Sequence, residues 1–135
     1  MKTGIVTGSF DLLHAGHLHL FREAKKHCDN LIVALHVDPS IERPNKNKPI
    51  ESIWERIIKL RACREVDQVT IYEREEELEN LFKFHNIDIR FLGSDYVKID
   101  PYNPPKITAE EALPIIYIDS LSIHTSEIRE RVKKS

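Results

Sequence analysis

Short apolar runs alternate with longer amphipathic stretches along the chain. Residues 3–7 (TGIVT), 31–37 (LIVALHV), 66–72 (VDQVTIY), 87–92 (IDIRFL) and 114–119 (PIIYID) are brief and rich in Ile and Val, which predicts strands. Between them the apolar positions recur at helical spacing. Leu18, Leu20, Phe21, Ala24 and Cys28 predict a helix over 17–28, with Arg22, Glu23, Lys25 and Lys26 left to water. Ile53, Trp54, Ile57, Ile58 and Leu60 predict a second over 51–63; Leu78, Leu81, Phe82 and His85 predict a third over 74–85. Ile128 and Val132 share one face of a last helix starting near His124. Strand and helix in strict alternation require parallel pairing through right-handed crossovers. The predicted fold is α/β: a Rossmann-like, doubly wound, parallel five-stranded sheet with helices on both faces. No internal repeat or compositional break divides it, so residues 1–135 are expected to form a single domain.

In such a sheet ligands bind beyond the carboxyl ends of the strands, where strand order reverses. Two connections are therefore of interest. The first is 8–17, GSFDLLHAGH, between strand one and helix one. The second is 38–50, DPSIERPNKNKPI, which has three prolines, three Lys or Arg and no periodicity; it is the expected mobile lid.

Charge narrows the function classes. The 135 residues carry 20 Lys and Arg against 22 Asp and Glu, mixed along the chain for a net charge of −2. No basic stripe suited to nucleic acid results, so no nucleic-acid partner is expected. No apolar run reaches membrane-spanning length, and membrane insertion is not expected. Cys28 and Cys63 both sit inside amphipathic patterns and no leader precedes the first strand, which suggests a cytoplasmic protein with reduced thiols.

A helix starting near Ala15 or Gly16 aims free backbone N–H groups and a positive dipole end into the crevice. His14 and His17, three apart at that start, can present both imidazoles to one polyphosphate. Gly16 leaves room for a ligand to touch the backbone, and Gly8 and Ser9 supply a tight exit from the strand. Asp11 is placed either to organise the loop or to hold a divalent ion through water. His14, His17 and His19 also raise zinc, but neither paired cysteines nor an HExxH pattern supplies the remaining ligands, so no resident metal is expected.

GSFDLLHAGH resembles the first motif of the HxGH nucleotidyltransferase superfamily, and the wider chain is similar to the glycerol-3-phosphate cytidylyltransferase family. ERIIKLRACREVDQV, HNIDIRFLGSDY and SIHTSEIRERV resemble that family's later segments, so the likeness covers nearly the whole chain. It implies transfer of CMP from CTP to a small phosphorylated acceptor, an alcohol or sugar phosphate, with release of pyrophosphate. It further implies Mg2+ accompanying the triphosphate, and a homodimer. His14 and His17 would then bind the triphosphate and the transition state, and Lys46 and Lys48 would close over the phosphates. Gly8, Ser9, Phe10, Asp11 and Gly16 would shape the nucleotide site, Arg64 would lie near it, and Ile123, His124, Thr125, Ser126 and Arg129 would meet phosphate at the last helix.

The chain departs from that pattern in three places. The arginine ahead of the family's last motif falls near Asp119, and Ser122 and His124 replace its glycine and first serine. TSEIR, with Arg129, resembles the ending of related adenylyltransferases. The segment REEELENLFKFH is acidic where the glycerol phosphate enzymes offer a lysine to the acceptor. ATP-dependent adenylyl transfer and a non-catalytic nucleotide-binding module therefore stay open beside cytidylyl transfer.

Overall fold

A computed structural model of the protein describes residues 1–93, 113–119 and 130–133. Five strands, β1 (Thr3–Gly8), β2 (Asn30–His36), β3 (Gln68–Tyr72), β4 (Ile89–Gly93) and β5 (Ile115–Ile118), form one sheet in the order β3-β2-β1-β4-β5. Every pairing is parallel. Gly4 of β1 stands opposite Leu31 of β2 on one side and Ile89 of β4 on the other, so β1 is central and the strand order reverses around it.

Alternation along the strands sorts their side chains into two cores. Val6, Leu31, Val33, Leu35, Ile89 and Phe91 face α1 (Ala15–Lys25) and α2 (Ile53–Arg61), meeting Phe21, Ala24 and Leu60. Ile5, Ile32, Ala34 and Tyr72 face the other way, onto Leu78 and Phe82 of α3 (Leu78–Phe84). Buried side chains of this size contribute roughly 1.5–3 kcal/mol each, so both faces of the central strands need their cover. The sheet is doubly wound, as expected, and residues 130–133 are helical.

The element boundaries differ from the sequence reading for local reasons. Helix one begins at Ala15 because His14 caps it, and α2 begins at Ile53 because Ser52 and Glu55 form a capping box. The acidic run Glu75–Glu77 winds as a 3-10 turn before α3. One correction concerns which face of α2 is buried. Ile53 and Ile57 pack on the core and Leu60 is buried, but Trp54 is 69% exposed, Ile58 is 66% exposed, and the inward position between them is taken by Arg56. Residues 38–50 are also less loose than expected. Asp38 caps a 3-10 turn at Pro39–Ile41, and Arg43 is buried against Glu75 at 2.7 Å. At the far end the Ile50 amide is held by Asp11, and within the expected lid the Lys46 amide donates to the Arg43 carbonyl at 2.9 Å.

Candidate functional site

The connection from β1 to α1 leaves the carboxyl edge of the sheet beside the reversal point. It is a strained turn, with Phe10 at φ 48° and Leu12 at φ 52°, both in the left-handed region that costs a side chain about 1–3 kcal/mol. Something must hold it, and the segment leading into α2 does. The Asp11 carboxylate accepts from the amides of Ile50 and Glu51, each at 2.9 Å, and the Leu12 amide donates to Glu51 Oε1 at 2.6 Å. Arg56, 3% exposed, donates through Nη1 to the Ser9 and His36 carbonyls at 3.1 and 2.9 Å, and through Nη2 to the Val37 carbonyl at 2.7 Å. One guanidinium thus ties the exits of β1 and β2 together. Burial pushes its pKa down while Asp11, Glu51 and Asp38 push it up, and a guanidinium stays charged throughout.

Beneath the turn Phe10 folds into the core, its ring 5.4 Å from Phe21 and 5.6 Å from His17. Gly8 allows this, since a Cβ there would come within 3.3 Å of the Phe10 ring. The two histidines then close the helix start reciprocally. His14 Nδ1 accepts from the Gly16 amide at 3.0 Å, and His17 Nδ1 accepts from the His14 amide at 3.1 Å. A ring nitrogen that accepts an N–H carries no proton, so this network assigns the proton of each neutral imidazole to Nε2. The rings lie 4.1 Å apart between centroids at 37°, as a tilted pair of Nε2–H donors at the N-terminus of α1. N–H donors gathered at a helix N-terminus are chemically able to receive an anion.

Next to it a cleft opens over the carboxyl ends of β1, β2 and β3, and the Arg90 side chain reaches it from β4. Its walls carry Arg43, Lys46 and Arg90, the Glu75 carboxylate, and the stacked rings of His36 and Tyr72, 4.5 Å apart. Arg90 is buried, with Nη2 donating to Thr7 Oγ1 at 3.0 Å and its guanidinium over the Phe82 ring.

The model of the cytidylyltransferase-like family matches residues 5–131, nearly the whole chain, including this turn and the strands around it. The chain belongs to the cytidylyltransferase-like family. Among curated proteins it is 39% identical over 95 residues to the FAD synthase of Thermococcus sibiricus, covering 70% of this chain and 64% of that one. It is 36% identical over 97 residues to the bifunctional protein HldE of Caulobacter sp. K31, covering 71% of this chain and 20% of that one. The chain thus spans about a fifth of that HldE and just under two thirds of that FAD synthase. In fold it superposes on a lipopolysaccharide core biosynthesis protein from Thermoplasma volcanium with a TM-score of 0.69 and 26% identity, over 90% of this chain and 99% of the other. These relatives make the cytidylyltransferase-like domain a nucleotidyltransferase domain.

Within the domain, the structure brings some of the expected residues together. Gly8, Ser9, His14, Gly16 and His17 share the carboxyl edge, and Lys46 joins them on the wall of the cleft. Lys48 is exposed on the outer loop, near enough to Asp38 to help lower the pKa of its carboxyl. Phe10, expected to help shape the nucleotide site, lies in the core with its ring against His17. Asp11 serves the loop-organising alternative, with both carboxylate oxygens receiving backbone N–H groups. Arg64 is corrected more sharply. It is exposed in the turn before β3, and in a parallel sheet that is the edge opposite to the histidines. Ile123, His124, Thr125, Ser126 and Arg129 lie outside the described residues. Arg56 was missed, although an arginine at a core-facing helical position was a usable signal.

His36 adds a pH dependence. It is buried, with Nε2 at 3.1 Å from the Glu73 carbonyl, and desolvation lowers its pKa, opposed by Glu75 and Glu42 and aided by Arg43. The unfolded chain then binds a proton at higher pH than the folded one, so this contribution to stability is complete above about pH 6.5 and lost as pH falls through that value. Thermal unfolding followed from pH 7.5 to 5.5 is expected to show a steeper fall in Tm for the wild type than for His36→Gln.

Proposed function

We propose that this domain transfers the nucleotidyl group of a nucleoside triphosphate to the phosphate of a small acceptor. The observation that carries the reading is the reciprocal cap at the start of α1, which leaves Nε2 as the protonated nitrogen of both imidazoles beside the sheet's reversal point, where a triphosphate would receive them. An oxygen of the acceptor phosphate forms a bond to the α-phosphorus as the bond to the bridging oxygen breaks, and pyrophosphate leaves. The acceptor phosphate is already an anion, so the protein needs no nucleophile of its own. His14 and His17 hold the triphosphate and the charge growing on the transferring phosphorus, which is positioning and electrostatic catalysis. Lys46, with Arg43 and Arg90, gives the cleft the positive charge a phosphorylated acceptor requires, while Glu75 and His36 offer partners to its hydroxyl groups.

Mg2+ would travel with the triphosphate, shielding its charge and held by its oxygens. The donor set fits that arrangement: the site offers imidazole and backbone N–H groups, and both Asp11 oxygens are engaged by amides. Among the described residues no group of three or more His, Cys, Asp or Glu could hold a metal, and no helix is long and apolar enough to cross a membrane.

For the donor we take ATP first. The likeness to a FAD synthase supports it, because FAD carries an adenylyl group, and so does the TSEIR ending. CTP is the second reading, supported by the resemblance of GSFDLLHAGH to the glycerol phosphate cytidylyltransferases. Pyrophosphate release followed in parallel with ATP and CTP across phosphorylated alcohols, sugars and FMN decides between them. Turnover with CTP alone would overturn the first choice, and nucleotide binding without turnover on any acceptor would overturn the enzymatic reading.

A further inference from the structure

Residues 38–46 run as a series of turns. The Asp38 carboxylate caps the 3-10 turn Pro39–Ile41, the Arg43 amide donates to the Pro39 carbonyl at 3.0 Å, and the Lys46 amide donates to the Arg43 carbonyl at 2.9 Å. Across from them Glu75 opens the 3-10 turn that precedes α3, and Glu77 steadies that turn by accepting from the Arg74 amide at 3.1 Å. Two neighbouring residues of the first segment grip this one residue of the second. Glu42 Oε1 accepts from the Glu75 amide at 3.0 Å, and the Arg43 guanidinium donates to Glu75 Oε1 at 2.7 Å. The main chain and the side chain of Glu75 are thus both held. His36 stands between the two carboxylates, with Nε2 3.8 Å from Glu42 Oε1, Nδ1 3.8 Å from Glu75 Oε1, and its ring stacked on Tyr72.

Arg43, Lys46 and Glu75 line the cleft, whereas Glu42 is exposed and outside that lining. A lysine on a connecting segment gives up backbone and rotamer freedom to hold one place, and a displacement of about 1 Å in a positioning group can cost a reaction about 10²-fold. The Arg43 carbonyl receives the Lys46 amide, so whatever seats Arg43 also seats the turn that carries Lys46. We infer that Glu42 is a positioning residue of the transfer reaction: by holding the Glu75 amide it keeps Arg43 on the Glu75 carboxylate and sets Lys46 on the cleft wall for the acceptor phosphate. This role rests on the nucleotidyl-transfer reading above, and Glu42 performs it without touching substrate. It acts through shape more than charge, since a backbone N–H needs only an oxygen in the right place.

Glu42→Ala and Glu42→Gln test this with ATP and FMN, or CTP and glycerol 3-phosphate, as the substrate pair. Glu42→Ala is expected to lower kcat/KM for the acceptor about tenfold or more, with KM for the triphosphate within about twofold of the wild type and Tm little changed. Glu42→Gln keeps an oxygen for the Glu75 amide and is expected to retain most of the activity. In a Lys46→Ala background, Glu42→Ala is expected to cost less than about twofold, because the group it positions is gone. A purely structural role would instead lower Tm and cost the same in both backgrounds. Equal losses in the two backgrounds, or wild-type acceptor kinetics in Glu42→Ala, would overturn the inference. Hydrogen exchange at the Lys46 amide reads the clasp without turnover, and is expected to be faster in Glu42→Ala and unchanged in Glu42→Gln. A wild type inert with every acceptor would remove the transfer reading and the positioning role with it. Exchange then still separates that failure from an absent clasp, which would show as equal rates in all three proteins.

Discussion

His14→Asn is expected to leave the protein folded and to lower kcat by about 10²–10⁴-fold, the range seen when donors to a developing charge are removed. An asparagine at a helix start accepts from the backbone as well as any residue does, so it replaces the Nδ1 bond to the Gly16 amide that His14 makes at 3.0 Å. It has nothing in the place of Nε2–H. His14→Ala loses both, and the difference in Tm between the two variants measures the cap, about 0.5–2 kcal/mol. His17→Gln tests the second ring similarly. Loss concentrated in kcat, with KM for the triphosphate changed far less, is the pattern of a group acting on the transition state. Steady-state pyrophosphate release by folded His14→Asn at the wild-type rate would remove the imidazole from the mechanism.

Arg56→Ala is expected to have the largest effect on stability. It leaves the carbonyls of Ser9, His36 and Val37 without a charged donor in a site that is 3% exposed. Hydrogen bonds to charged groups contribute about 1.5–3 kcal/mol each and do not add fully, so a loss of about 3–5 kcal/mol follows. In a domain of this size that lowers Tm by roughly 10–20 °C. Because the same bonds hold the Phe10–Leu12 turn beneath His14 and His17, activity should fall at temperatures where the variant is still folded. Arg56→Lys keeps the charge but cannot serve three carbonyls at once. It should recover part of the stability and less of the turnover. Equal Tm values for Arg56→Ala and wild type in thermal denaturation would show that the turn is held by Asp11 and Glu51 alone.

Both predictions rest on a site that was only half legible beforehand. His14 and His17 stand in one continuous decapeptide, and their relation to each other and to the helix start follows from a spacing of three. Local chemistry of that kind is written in order along the chain. Arg56 lies 47 residues from Ser9, and its role depends on which face of α2 turns inward. The pattern Ile53, Trp54, Ile57, Ile58, Leu60 suggests an apolar side wide enough to hide that choice. Burial of Arg56 and exposure of Trp54 resolve it. Arg64 shows a different failure: standing just before a strand of a parallel sheet it belongs to the amino edge, and only the resemblance placed it near the site.

By itself the sequence determined the alternation of strand and helix, hence a parallel, doubly wound sheet, and it determined that two histidines three apart meet a helix start at the β1–α1 turn. Those are consequences of periodicity and of residues close together in the chain. Only the tertiary structure decided that Asp11, Glu51 and Arg56 restrain that turn, that Arg43, Lys46 and Arg90 meet over one cleft, and that Trp54 and Ile58 face outward. The physical reason is common to all three. A hydrogen bond or a buried face forms between partners brought together by the sheet's strand order, and no local preference of either partner encodes the meeting.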